Sequence, residues 1–333
     1  MSDAATTRPR LGFLGLGWIG LARLQALQAE GIAEVAVVAD ASPEARARAL
    51  EAAPGALAVD TLDAMLANDL DGVVIATPSA LHAEQALACL QRGLAVFCQK
   101  PLARTADETR AIVDAAKAAD RLLGCNLSYR HTEAMRRVRN CVVEGELGEV
   151  FAVDLVFHNA YGPDKPWFRD PQLAGGGCAI DLGIHLVDLA LWTLGQPEVV
   201  NVTSRLYAHG QPLGPGANDV EDYAVAQLDL ASGAVVRLVC SWNLPAGCDC
   251  VIEAHFHGDR AGAALRNVNG SFYDFTAERN DGTRRTVLAT PPDAWGGRAA
   301  VDWARRLAAG SGYSAGIESA IQVARVLDRI YGR

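Results

Sequence analysis

Glycines at positions 15, 17 and 20 break an apolar run within Arg10-LGFLGLGWIG-LARLQALQAE. The residues before them have the character of a short buried strand, and a helical pattern runs from them to about Glu30. A second apolar run, Glu34-VAVVAD, ends in Asp40, twenty positions beyond Gly20. A lone G-x-G-x-x-G is weak evidence because glycine is common. Strand before, helix after and an acid closing the next strand make it specific. Gly15 permits the tight turn, Gly17 lets a pyrophosphate approach the backbone, and Gly20 lets helix and strand pack closely. The helix N-terminus adds free N–H groups and a positive dipole, and the acid can accept from a ribose hydroxyl. Gly15, Gly17, Trp18, Ile19 and Asp40 are therefore the expected dinucleotide contacts. No Arg or Lys stands at 41–43, and Arg46 and Arg48 are the nearby cations, so NAD is expected over NADP.

Short Val/Ile/Leu-rich strands keep alternating with helices to about residue 128, which predicts a parallel sheet covered on both faces. Ser42-Pro43 and Thr105 to Glu108 carry helix-start signals. Ligands of such sheets bind beyond the carboxyl ends of the strands. Three groups gain interest from that position: Thr77-Pro78 with His82, Gln99-Lys100-Pro101, and Asn126 to Arg130. A lysine at a strand end is most often a solvated charge. Lys100 follows a fully apolar strand and precedes a proline, so it is also placed to hydrogen-bond a substrate oxygen. His82 reads as structural or as a cofactor contact.

From about Glu149 the pattern changes. Strand-like runs at 149–159, 197–208, 219–230, 234–243, 249–258 and 271–277 are separated by short turns, with Ser232-Gly233 a hairpin signal. They predict an antiparallel meander with helices 131–144 and 177–194 on one face; helical segments near 294–309 and 315–331 close the chain. The expected fold class is α/β: a Rossmann dinucleotide-binding domain over 1–128, then an α+β domain over 129–333 with an open, mainly antiparallel sheet. The stretch Gly175–Trp192, GGGCAIDLGIHLVDLALW, is apolar on nearly every side of a helix except at Asp181, His185 and Asp188. Spacings of four and three put these on one face, and an Asp one turn before a His can orient and charge-stabilise a general base. A buried polar cluster that merely pins the helix is the alternative. His255 and His257 share a strand face, but no third ligand lies near in sequence and no metal is expected.

Net charge of -9 argues against nucleic acid or an anionic membrane as partner. The eight cysteines include no C-x-x-C pair, the first apolar run is broken by four glycines, and no apolar stretch approaches membrane-spanning length. A reduced, cytoplasmic protein with a disordered leader over residues 1–9 is expected.

Taken together, GLGWIG, Asp40, ATPSALH, QKP (99–101), Asn126/Tyr129/Arg130, Gly145-Glu-Leu-Gly148, Trp167-Phe-Arg169 and GGG…D-x-G-x-H-x-x-D resemble the Gfo/Idh/MocA family over almost the whole length. The resemblance implies a nicotinamide cofactor in the first domain and a sugar or polyol held against the second. Lys100, Asp181 and His185 match the family's catalytic lysine, aspartate and histidine; Asn126, Arg130, Trp167 and Arg169, with Asp181 and His185, match substrate-lining positions. Thr77, Pro78, His82, Gln99 and Lys100 join the cofactor set. It also implies a homodimer or homotetramer through the open sheet. Some relatives use retained NAD to eliminate or hydrolyse a glycoside, and a non-catalytic dinucleotide sensor is a third reading that the retained catalytic set disfavours. Position 99, usually Glu in the family, is Gln here, which removes a carboxylate neighbour of Lys100.

Overall fold

The computed structural model describes residues 8–214 and 218–333, so the expected leader lies mostly outside the described residues. Two units emerge. One comprises the chain up to Ala103, 107–126 and 297–318; the other comprises 104–106, 127–296 and 319–333.

In the first unit, β1 (Arg10–Leu14), β2 (Glu34–Ala39), β3 (Leu57–Val59), β4 (Gly72–Ile75), β5 (Ala95–Cys98) and β6 (Leu123–Cys125) form one parallel sheet. Its order is β3-β2-β1-β4-β5-β6. Helices α1 (Trp18–Glu30), α2 (Pro43–Ala52), α3 (Leu62–Leu66), α4 (Ser79–Gln91) and α5 (Ala106–Ala118) connect the strands. Every residue of β4 and β5 is buried, as strands covered on both faces require. The start signal at Ser42 acts as expected, its Oγ accepting from Ala45 N at 3.1 Å, and Thr61 Oγ1 caps α3 in the same way from Ala64 N at 3.2 Å. The chain winds outward through β2 and β3, then returns beside β1 as β4. That reversal opens a crevice beyond the ends of β1 and β4, where the glycine loop and Thr77 lie.

The second unit contains α6 (Glu133–Val143), β7 (Val150–Asn159), α7 (Pro171–Ala174), α8 (Ile184–Thr193), β8 (Val199–Ala208), β9 (Gln211–Pro212), β10 (Tyr223–Leu230), β11 (Val235–Ser241), β12 (Cys250–Gly258), β13 (Gly262–Asn267), β14 (Phe275–Asp281) and β15 (Arg284–Ala289). The nine strands run β15-β14-β13-β12-β7-β11-β10-β8-β9. The hairpin at Ser232-Gly233 joins β10 to β11. The sheet is not the simple meander expected from sequence. β7, first in the chain, lies at its centre and pairs parallel with β11, because the connection between them includes the α8 crossover. β13 (GAALRN) and β15 were not anticipated; their low intrinsic strand character is overridden by pairing with β12 and β14. One face buries Val153, Leu155, Phe157, Leu238, Cys240, Ile252 and Phe256. The other carries Asp154 and Glu253 with Arg237 and Arg266 in ion pairs, and His255 Nε2 lies 2.8 Å from Glu253 and His257 Nε2 3.2 Å from Asp154. Among the described residues no group of three His, Cys, Asp or Glu side chains could hold a metal ion.

Two helices follow the sheet. α9 (Arg298–Ala308) belongs to the first unit, although a single cut near residue 128 would assign it to the second. Its Trp303 fills space that glycines leave on two strands: a Cβ at Gly124 would stand 2.9 Å from the indole and one at Gly72 3.0 Å from it. Ala300, Trp303 and Ala304 thereby join the core of Phe13, Leu24 and Phe97. α10 (Ser319–Tyr331) packs on α8 and β8 in the second unit. Contrary to the sequence reading, Pro171–Thr193 is long and apolar enough to compare with a membrane span; it is 89% buried inside the protein, as a core helix is.

Candidate active site

The glycine loop has the geometry its spacing requires. Gly15 adopts φ +86°, and a Cβ there would meet the Ala76 backbone at 2.6 Å. A Cβ at Gly20 would lie 1.9 Å from the Gly15 carbonyl oxygen, whereas one at Gly17 would meet nothing within 4 Å. The open position is the one where a pyrophosphate must approach. α1 starts at Gly17 with no side-chain cap and no acid in its first turn, leaving its N–H groups available to an anion; Trp18 is exposed there. The Asp40 carboxylate accepts from Leu16 N at 2.7 Å and Ser42 N at 2.9 Å, so it also staples the loop. A carboxylate has about four lone-pair sites, and those left can serve a ribose hydroxyl. Arg46 donates to the Asp40 carbonyl at 2.5 Å. These residues fit a dinucleotide.

At the other strand ends the residues divide. Thr77 and Pro78 open α4, and Thr77 Oγ1 donates to Gln85 Oε1 at 2.6 Å. His82 is 1% exposed, with ring nitrogens 2.7 Å from the Pro101 carbonyl and 2.8 Å from the Thr77 carbonyl. It ties the two loops together, the structural half of its expected reading. Burial lowers its pKa; the carbonyls oppose that shift. Lys100, two residues past β5, is half-buried and precedes a cis bond to Pro101. Gln99 is buried and its Oε1 accepts from Asn126 Nδ2 at 2.8 Å. Asn126, expected on the substrate, also supports position 99 from just past β6. Gln99 Nε2 and Asn126 Oδ1 are buried polar atoms without a partner in the protein.

The second unit holds the remaining candidates. The chain does not enter one uninterrupted helix at 177: a π-turn spans Ala179–Gly183 before α8 begins. The wider winding of a π-turn breaks the regular spacing that would align Asp181 with His185 and Asp188. The polar stripe is accordingly divided. Asp181 accepts from Trp242 Nε1 at 3.1 Å. His185, 7% exposed, lies edge-on to Tyr129 with ring centroids 4.8 Å apart. Asp188 is 1% exposed and bound at both oxygens by Arg130, whose Nε is 2.8 Å from Oδ2. Burial raises the Asp188 pKa and the guanidinium counters it. Arg130 also lies over Trp192 and reaches Ser319 Oγ. These contacts pin α8.

Trp167 and Arg169 lie on a 3-10 turn, Pro166–Arg169. Trp167 stacks on Phe168 at 3.8 Å, Phe168 meets Trp242 edge-on at 6.3 Å, and Arg169 passes over Gly162 beside Asn243. This aromatic array ends on the partner of Asp181. A cleft of about 590 Å³, bordered by Tyr207, His209, Asp222, Tyr223, Trp242 and Asn243, adjoins it. Sequence reasoning missed Trp242, because an apolar residue closing a strand carries no sign of the carboxylate it meets.

Residues 10–127 match the model of an oxidoreductase family with an NAD-binding Rossmann fold, and 135–264 match the GFO/IDH/MocA C-terminal domain. The chain belongs to the Gfo/Idh/MocA family. Among relatives, a D-xylose 1-dehydrogenase (NADP(+)) of Haloferax volcanii is 32% identical over 96% of this chain and 95% of its own. The D-glucoside 3-dehydrogenase of Escherichia coli K12 is 29% identical, with 60% of each chain aligned. The solved structure of GenD2 from gentamicin A biosynthesis, in complex with NAD, superposes with a TM-score of 0.80 at 26% identity, covering 98% of this chain and 95% of that one. Membership in the Gfo/Idh/MocA family makes the glycine loop an NAD-binding Rossmann element and the chain an oxidoreductase.

Proposed function

We propose that the protein oxidises or reduces a CH–OH group of a sugar or polyol, with NAD as hydride partner. The observation that carries this reading is the pairing, in one chain, of an uncapped glycine cradle with a buried π-turn and helix that carry Asp181 and His185 in succession. Relatives named as sugar and polyol dehydrogenases support the substrate class. Gly15, Gly17, Trp18, Ile19 and Asp40 would hold the dinucleotide, which supplies hydride acceptance when bound. His185 takes the hydroxyl proton, Asp181 sets the imidazole's orientation or pairs with its charged form, and Lys100 hydrogen-bonds the reacting oxygen. General-base assistance of this type contributes about 10²–10⁴-fold. Asp40 favours NAD, because a 2′-phosphate would meet its carboxylate. The charged face of the nine-stranded sheet, opposite the one that buries Phe157 and Phe256, supports a homo-oligomer, to be checked by light scattering.

The test is a panel of glucose, xylose, myo-inositol and levoglucosan with NAD or NADP, following absorbance of the reduced nicotinamide. Turnover with at least one sugar, and a higher kcat/KM with NAD, is expected. Product release without net cofactor reduction would replace this reading with redox-assisted elimination or hydrolysis, and better use of NADP would overturn the cofactor assignment.

A further inference from the structure

The GGG stretch before the π-turn is walled by two side chains distant in sequence. Glu221, 2% exposed, precedes β10 and lies among the backbone amides that lead into the turn. Its carboxylate accepts from Gly177 N at 3.0 Å and Ala179 N at 2.8 Å, and from the Tyr331 hydroxyl at 2.7 Å. Its own carbonyl accepts from Cys178 N at 2.9 Å. Tyr331, at the end of α10, accepts from Ile180 N at 3.1 Å through the same hydroxyl. Four successive amides, 177 to 180, are thus taken by two residues. The glycines follow from this fit: a Cβ at Gly177 would stand 2.0 Å from the Glu221 carbonyl oxygen, and one at Gly176 2.1 Å from the Tyr331 hydroxyl. Arg333 completes the grip, donating to the Gly175 carbonyl at 2.7 Å while lying over the Tyr331 ring.

The next residue is Asp181, whose amide donates to the Gly177 carbonyl at 3.1 Å. The backbone that carries Asp181, and His185 one turn on, therefore hangs from a peptide unit held by Glu221. A carboxylate serves here because every group facing it is a donor. An amide of the same shape would present N–H groups to N–H groups. A helical start leaves four amides without intrahelical acceptors, and the two residues that satisfy amides 177 to 180 thereby define where the π-turn starts.

We propose that Glu221 and Tyr331 are positioning residues for the acid–base pair, setting the register of the π-turn and with it the directions of Asp181 and His185. The proposal rests on the dehydrogenase reading above. It assigns to a buried strand-start residue and the end of the last helix a share in turnover.

The experiment combines Glu221→Gln, Tyr331→Phe and His185→Ala in full-length protein, with the best sugar of the panel and with NADH binding read by fluorescence. Glu221→Gln should lower kcat per NADH-binding site by about 10²-fold, the scale of a small misplacement at a reacting centre, with the NADH dissociation constant unchanged. Tyr331→Phe, which loses one hydrogen bond at each of two partners, should lower kcat by about fivefold and keeps the test open if Glu221→Gln does not fold. In the His185→Ala background either change should cost nothing further, because the group being positioned is gone. Equal losses with and without His185, or a lowered Tm with unchanged kcat per binding site, would overturn the proposal. If the wild type binds NADH but oxidises no sugar, the dehydrogenase reading fails by itself. The positioning claim is then decided by the His185 imidazole resonance in histidine-labelled protein: it should move in Tyr331→Phe, and an unmoved signal sinks the claim.

Discussion

The glycine cradle and the acid–base helix solve similar problems by opposite means. The cradle is written into one contiguous segment: Gly15, Gly17, Gly20 and Asp40 lie within a single strand–helix–strand unit, and Asp40 staples the loop that precedes its own strand. The helix is assembled from residues far apart. Asp181 depends on Trp242, its backbone on Glu221 and Tyr331, and Asp188 on Arg130. A local device can be read and broken locally; a dispersed one passes damage from distant positions into the site.

The sharpest way to test that contrast is to remove the base. His185→Ala should lower kcat by about 10²–10⁴-fold while NADH affinity stays unchanged, as measured by steady-state kinetics and fluorescence titration. Collapse of cofactor affinity with unchanged turnover of bound cofactor would make His185 structural. Next in size is Asp188→Ala, which strands a largely buried guanidinium. Breaking such a pair costs about 3–5 kcal/mol, to be seen as a lower denaturation midpoint, with kcat falling because α8 loses its anchor. Gly15→Ala should do the reverse, weakening NADH binding about tenfold or more through backbone strain of about 1–3 kcal/mol, while kcat with saturating cofactor changes little. Loss of kcat without loss of affinity there would erase the contrast.

The smallest effect is a difference in pH response. Burial lowers the His82 pKa in the first unit, so the unfolded chain binds the proton at higher pH than the folded one. That contribution is complete above the ordinary value of 6.5 and is lost as pH falls below it toward the folded value. Asp188 and Glu221 in the second unit are shifted upward by burial, so their contributions have the opposite sign: present below the ordinary values of 3.8 and 4.5, and lost as pH rises through the folded values. Acidification from about pH 7 to about pH 5.5 should therefore loosen the first unit before the second, read by hydrogen exchange of each unit. A His82→Gln variant should flatten that response, and an equal loss of protection in both units would contradict it.

Periodicity, glycine spacing and strand-end position are local quantities, and what depends on them was legible in the chain alone: the parallel sheet, the cradle at 15–20, the acid at 40, the cap at Ser42, and the existence of most strands of the second sheet. Family motifs added the expectation that Lys100, Asp181 and His185 act together. Tertiary structure decided the rest. β7 became the sheet's centre, and α9 returned to the first unit because Gly72 and Gly124 leave room there for Trp303. The helix over Asp181 became a π-turn, and His82, Asn126 and Arg130 gained protein partners that spacing alone could not show. The physical reason is common to these outcomes: a buried polar group must find partners wherever the fold brings them, and sequence spacing records only partners within a few turns of helix or one strand pairing.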